Sequence, residues 1–240
     1  MKVTLINHTH DAAELLLFTK STRLGLNALT MAEIRAMTPE AKLAGLRYMA
    51  DTIPSSWEFV DYVFLVEGVS RAYTHQQVRT RAGSYAQQTM RVMDMSDFEY
   101  VFTERNRADP GAMELINALN EQIMNTYQAL LRRGQPAEDA RGVLPTNIAT
   151  NIVCKFNLRT MAELARSRTG GRTQREYQRV VNAMLDEVLR VHPWADVFLF
   201  PKGRDLFAEI EAFAEEEYGG DLLKKGRLLK IVDKLRKELA

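Results

Sequence analysis

Residues 74–92 read THQQVRTRAGSYAQQTMRV and hold Arg79, Arg81 and Arg91 with no acidic side chain among them. Guanidinium groups present planar forks of donors that match phosphate and carboxylate oxygens. Gly83 lets backbone come close to a ligand. Ser84 and Thr89 add hydroxyls, and Gln76 and Gln87 add amides that both donate and accept. In this order the residue types make an anion cradle. The same spacing allows a solvated basic strand, because Arg79, Arg81 and Arg91 share one face at a period of two. The stretch by itself leaves both readings open.

Any anion site must be local. The 240-residue chain carries 32 Lys and Arg against 31 Asp and Glu, a net charge of +1. That balance, and the lack of a row of stacking aromatics, argues against a nucleic-acid binder. Composition, with 46% apolar and 26% charged residues, is that of an ordinary globular protein. A single cysteine, Cys154, leaves no intramolecular disulfide and no cysteine-cluster metal site. It suits a reducing cytoplasm, the expected location, and its setting in IVCKF reads as packing on an apolar helix. No apolar run approaches ~18 residues, so no membrane span is expected. The opening MKVTLINHTHDAAELL is not expected to be a signal peptide. His8 and His10, with only His75 and His192 elsewhere, fall short of a metal site.

Periodicity and caps predict the elements that position these residues. KVTLI at 2–6 reads as a short buried strand. Asp11 reads as the N-cap of a helix, with Glu14 at the capping-box position. Thr38 and Pro39 start the next helix. WEFVDYVFLVEG, from Trp57, reads as a strand, residues 69–78 as a short helix, and 79–92 as loop with a short strand. Asp109 opens the clearest helix, which ends with Arg132 and Arg133 before Gly134. After Pro145 the chain is expected to resume as helix from about Asn147, to break at Gly170 and Gly171, and to continue as an amphipathic helix through TQREYQRVVNAMLDEVLRVHP. SRTGGRTQRE is a candidate phosphate-binding glycine loop before that helix, or simply a break between helices. Residues 203–240 read as two charged helical pieces around YGGD, the second packed by its leucine face. The expected class is α+β, helix-dominated, with strands mainly in the first half.

RTRAGSYAQQTMR resembles the signature of the flavin-dependent thymidylate synthases (ThyX): R-H-R, seven residues, Ser, then Arg two places on. Arg79-Thr80-Arg81 stands for the triplet, Thr89 for the Ser, Arg91 for the Arg, and Gln76 also fits. Other parts follow in order. Glu58 precedes an alternating apolar run, with Phe59 in place of a His. Arg141, Pro145, Asn157 and Arg159 match Ala-Arg, Leu-Pro and Asn-x-Arg. Arg168 matches a later arginine. RTQRE matches His-Ala-Gln-x-Glu, with Arg172 for the His and Gln174 and Glu176 retained.

The resemblance covers about residues 1–200. It implies a single-domain, helix-rich fold with a central antiparallel sheet, and it leaves 201–240 as a helical C-terminal extension. It implies a homotetramer using FAD, with NADPH and 5,10-methylenetetrahydrofolate as co-substrates, that transfers a one-carbon unit to C5 of a pyrimidine nucleoside monophosphate. Carried over residue by residue, Arg79, Thr80, Arg81, Asn157, Arg159 and Arg172 fall on cofactor-binding positions. Gln76, Gln87, Thr89, Met90, Arg91, Arg141 and Arg168 fall on nucleotide-binding positions, Arg168 at the pyrimidine ring as the catalytic group. The departures are Phe59, Thr80, Ala86, Gln87, Thr89, Met90 and Arg172. They point to a specialised member acting on UMP and/or dUMP. Hydroxymethylation, a cytosine base and a catalytically lapsed flavin- or nucleotide-binding protein remain as alternatives.

Overall fold

The computed structural model describes residues 1–23, 29–171, 173–201 and 206–238, with backbone alone at 206 and 237. Four antiparallel strands, β1 (Lys2–His8), β2 (Asp61–Ser70), β3 (Ser84–Gln87) and β4 (Ala149–Asn157), form one sheet in the order β1-β2-β4-β3. Alternation builds its centre. Tyr62, Phe64 and Val66 of β2 lie opposite Phe156, Cys154 and Ile152 of β4, and all six are buried. Such directly opposed pairs are the unit of sheet stabilisation.

β4 corrects the helix expected from about Asn147. ATNIVCKFN alternates buried and less buried positions, and its Thr, Ile, Val and Phe favour the pleated surface. The helix begins only at α8 (Leu158–Arg168), where the Asn157 side chain caps the Thr160 N–H at 2.9 Å. A central strand therefore lies in the second half of the chain. Cys154 keeps its packing role on that strand, and burial pushes its thiol up to about 12. Residues 57–59 also differ from the strand reading. They lie in a 3₁₀ turn (Pro54–Phe59) that seats the Trp57 indole, which donates to the Met49 carbonyl at 3.2 Å. β2 starts at Asp61.

The flanking helices are α1 (Ala12–Thr22), α2 (Met31–Ala36), α3 (Pro39–Thr52), α4 (Arg71–Gln77), α5 (Glu104–Arg107), α6 (Pro110–Arg132), α7 (Ala137–Ala140), α8, α9 (Arg175–Val191), α10 (Asp196–Leu199), α11 (Leu206–Tyr218) and α12 (Leu222–Glu238). Asp11 holds the N-cap position expected of it, and its carbonyl accepts from the Leu15 N–H at 2.9 Å, but its side chain does not cap. The residue sits at φ 50°, and its carboxylate pairs with Arg35 at 2.8 Å. Glu14 pairs with Lys42 instead. The capping box is Thr30 with Glu33, at the start of α2. Thr38 and Asp109 cap α3 and α6 as read, and Gly134 (φ 83°) follows α6. The main core joins the sheet to α1, α3, α8, α9 and α10. Met95, Tyr127, Ala140 and Ile148 form a smaller cluster beside α6, whose Leu115 and Leu119 stay exposed. α11 carries only acidic charges and α12 mainly basic ones. They pair through Lys225–Glu215 and Arg236–Glu211. The expected leucine-face packing of the tail holds only in part. Val232 is buried, while Leu222 and Leu223 are 75% and 78% exposed. Among the described residues no helix is long and apolar enough to cross a membrane.

His192 is buried against Tyr62, whose hydroxyl lies 3.0 Å from Nδ1, with the His8 ring 4.9 Å away. Burial, with the nearby His8 and His10, pushes His192 down to about 4. A folded-state value below the unfolded ~6.5 means that the unfolded chain binds the proton more readily. This stabilisation is complete above ~6.5 and is lost as pH falls toward 4, by on the order of 3 kcal/mol. Calorimetric melting from pH 7 to 4 should show this loss in the parent and not in His192→Asn; parallel profiles would contradict it. A second prediction concerns the turn before β3. A Cβ on Gly83 would lie 2.5 Å from a Phe156 ring carbon and 2.6 Å from the Tyr85 oxygen. Gly83→Ala should cost about 1–3 kcal/mol in chemical denaturation; an unchanged midpoint would contradict the packing described.

Candidate functional site

Arg79, Thr80 and Arg81 lie in a turn after α4, not on a strand, which removes the period-two reading. The turn is tied from below. The Tyr85 hydroxyl donates to the Thr80 carbonyl at 2.6 Å and to the Gln77 carbonyl at 3.0 Å. Tyr73 donates to Gln77 Oε1 at 3.1 Å. Gly83 N–H closes the turn onto Thr80 O at 3.0 Å. Across from it stands the last part of α8. Arg79, Thr80, Arg81, Glu163, Ser167 and Arg168 line a cleft of about 270 Å³. Arg168 rests against the Tyr177 ring, with Cζ 5.2 Å from the centroid. Its Nε is buried with no hydrogen-bond partner.

A second arginine group forms at the other end of α4. Arg91 Nε donates to the Glu138 carboxylate at 2.8 Å, and Arg141 Nε donates to the Glu138 carbonyl at 3.1 Å. Thr89 Oγ1 accepts from the Arg91 N–H at 3.0 Å. Arg71 joins them. It donates to the Gln88 carbonyl at 2.6 Å, its Nε is buried without a partner, and burial together with the Arg141 charge lowers its proton affinity. Sequence reasoning missed Arg71. The signal was present, since Ser70 caps α4 and a cation in a first helical turn is electrostatically disfavoured. Gln87 donates to Thr74 Oγ1 at 2.8 Å, and Gln76 bonds Gln174. Met90 packs on the smaller core cluster.

Asn157 and Arg159 sit at the opposite end of α8 from Arg168, about 13–17 Å away along the axis. Arg159 pairs with Glu58 at 2.8 Å and with Glu163 at 3.7 Å, and Phe59 beside Glu58 is 58% exposed. Arg172 lies outside the described residues. Glu176, at the start of α9, accepts from the Ser70 N–H at 2.7 Å and from the Ser70 hydroxyl at 2.6 Å. Within one chain the described arginines predicted for the site therefore fall into three groups: the cleft, the Glu138 cluster and the start of α8. α4, about 10 Å long, separates the first two.

The chemistry these groups offer is binding and polarisation. Donors dominate both arginine clusters, and the buried Cys154 thiol is held un-ionised. The cleft fits an anionic or carbonyl-bearing ligand, with the buried Arg168 Nε as an unspent donor.

Residues 4–194 match the model of the family described as Thymidylate synthase complementing protein. Among similar proteins, the flavin-dependent thymidylate synthase of Sulfolobus acidocaldarius is 37% identical over 132 residues, covering 55% of this chain and 51% of that protein. That of Sulfurisphaera tokodaii is 31% identical over 203 residues, 80% of this chain and 75% of the relative. That of Nitratidesulfovibrio vulgaris is 38% identical over 144 residues, 57% and 59%. The alignments thus span about half the length of the Sulfolobus relative and three quarters of the Sulfurisphaera one. With its α+β fold, its ordered site residues and a family match over most of its length, the chain belongs to the thymidylate synthase complementing protein family.

Proposed function

We propose that the protein is a cytoplasmic, FAD-dependent enzyme that methylates C5 of uridine 5′-monophosphates, dUMP with UMP tolerated, at sites shared between copies of a homotetramer. The observation that carries the reading is the cleft where the Arg79-Thr80-Arg81 turn faces Arg168. Residues 1–200 form the catalytic unit, and the last forty residues are an extension.

The residues present fit the proposed ligands. Arg79, Arg81 and the Thr80 hydroxyl offer a donor set for the phosphates of FAD, and α8 runs from this cleft to Asn157 and Arg159, so an elongated cofactor can lie along it. Arg172 adds a cation before α9. At about 270 Å³ the cleft is smaller than the ~300–1,000 Å³ that bury a small-molecule ligand. The exposed Leu115 and Leu119 of α6 offer an apolar face to another copy.

Arg91, Arg141 and Thr89, with Arg71 beside them and the Met90 backbone, hold the nucleotide phosphate. Gln76 and Gln87 face its sugar. Phosphate binding releases Arg91 from Glu138, an exchange that costs little because that ion pair is solvent-exposed. Arg168 meets a ring carbonyl and stabilises the negative charge that makes C5 nucleophilic. A bond then forms between C5 and the methylene carbon as that carbon's bonds to the two folate nitrogens break in turn, so that tetrahydrofolate and the C5 proton leave. Reduced flavin, regenerated by NADPH, would supply the hydride that turns the methylene into a methyl group. The walls of the cleft fix C5 and exclude water.

Adding FAD to the purified protein should give an oxidised-flavin band that NADPH bleaches. With 5,10-methylenetetrahydrofolate, dUMP and UMP should each gain the mass of one methylene. FAD binding with no nucleotide product would contradict the reading, and turnover of dUMP alone would remove its ribose part. Arg168→Ala should lower kcat by ~10²–10³ and leave the FAD band intact; an unchanged kcat would reassign the ring contact.

A further inference from the structure

Tyr177 is fully buried on the inner face of α9, yet it touches both walls of the cleft. Its ring face lies under the Arg168 guanidinium, 5.2 Å from Cζ. Its hydroxyl lies 3.4 Å from Thr80 Oγ1. The Tyr73 ring packs against it edge-to-face, with centroids 5.4 Å apart. Glu163, a carboxylate that lines the same cleft, is engaged with Arg159 toward the start of α8 at 3.7 Å. Among the described residues no carboxylate pairs with Arg168.

That choice of partner has a chemical consequence. A carboxylate would take two of the guanidinium's donors and neutralise its charge, and any ligand would have to displace it. An aromatic face attracts the cation through its quadrupole and accepts none of the in-plane N–H donors. Arg168 is thereby held in place with its charge and fork still available. The hydroxyl at the other end of the same ring ties this arrangement to the turn that carries Arg79 and Arg81.

We propose that Tyr177 is the positioning residue for Arg168: its ring face holds the guanidinium unpaired in the cleft, and so sets the affinity for the pyrimidine nucleotide. This rests on Arg168 as the nucleotide contact proposed above.

The test measures dUMP binding by calorimetry to the full-length, FAD-loaded protein, with FAD affinity measured separately by fluorescence. Arg168→Ala should weaken dUMP binding. Tyr177→Phe, which keeps the ring, should bind dUMP within about threefold of the parent. Tyr177→pentafluorophenylalanine, which keeps the shape and reverses the charge on the ring face, should weaken dUMP by about tenfold, with FAD affinity unchanged. Tyr177→Leu should do the same, and in an Arg168→Ala background it should add no further loss, because its effect runs through Arg168. Compared with Tyr177→Phe, which also lacks the hydroxyl, the fluorinated variant with its FAD affinity and melting temperature unchanged decides the question even where Tyr177→Leu fails to fold. Equal dUMP affinity in the Phe and pentafluorophenylalanine variants would overturn the inference while Arg168→Ala still weakens binding. An Arg168→Ala protein with parental dUMP affinity would instead overturn the ring-contact reading on which it rests.

Discussion

The two bonds that Glu176 accepts from Ser70 fix the geometry of everything around the site. Ser70 ends β2 and caps α4 through its bond from the Tyr73 N–H at 3.0 Å. Glu176 opens α9. One carboxylate therefore locks a sheet strand, the helix that precedes the arginine turn, and the helix that follows Gln174 and carries Tyr177. A hydrogen bond to a charged acceptor is stronger than a neutral one, and leaving it half-made in a partly buried setting is costly. From that junction the rest follows in register. Gln76 reaches Gln174, the turn reaches Tyr85, and Thr80 reaches Tyr177.

Charge is arranged locally in a chain that is nearly neutral. Arg71, Arg91 and Arg141 gather at one end of α4, and Arg79, Arg81 and Arg168 at the other. Glu138 offers one carboxylate to the first group, and the Tyr177 ring face supports Arg168 in the second. Elsewhere acids and bases are matched more fully. The acidic α11 lies against the basic α12, and Glu215 and Glu216 also reach Arg175 and Arg179 of α9 at 3.4 and 3.5 Å. The contrast between matched surface charge and under-matched arginines is what an anion site requires, because a cation already neutralised has little left for a ligand.

Much of this was legible in residue order. Asp109, Thr38 and Gly134 marked helix ends correctly because caps are local. The arginine motif and the later Asn157, Arg159, Arg168 and Glu176 pointed to the family because their spacing is distinctive. β4 was misread because IVCKF is a short apolar run that fits a buried helix as well as a central strand; only pairing on both sides, with β2 and β3, decides it. Asp11 marked the start of α1 correctly, but its carboxylate does not cap because a tertiary partner, Arg35, takes it. Arg71 offered only a weak local signal, a cation in the first turn of α4, and Tyr177 offered none. Each acts through a neighbour far away in sequence, Arg141 for one and Arg168 and Thr80 for the other, and no local pattern encodes such contacts.

Arg91 and Arg168 stand in separate groups of one chain, and the proposed chemistry requires them at one nucleotide. Mixing two inactive variants, Arg91→Ala and Arg168→Ala, under conditions that exchange subunits tests this directly. If the site draws its two arginines from different copies, about a quarter of the sites in an equal mixture hold both, and activity returns to about that level. No recovery, with subunit exchange verified, would contradict a shared site.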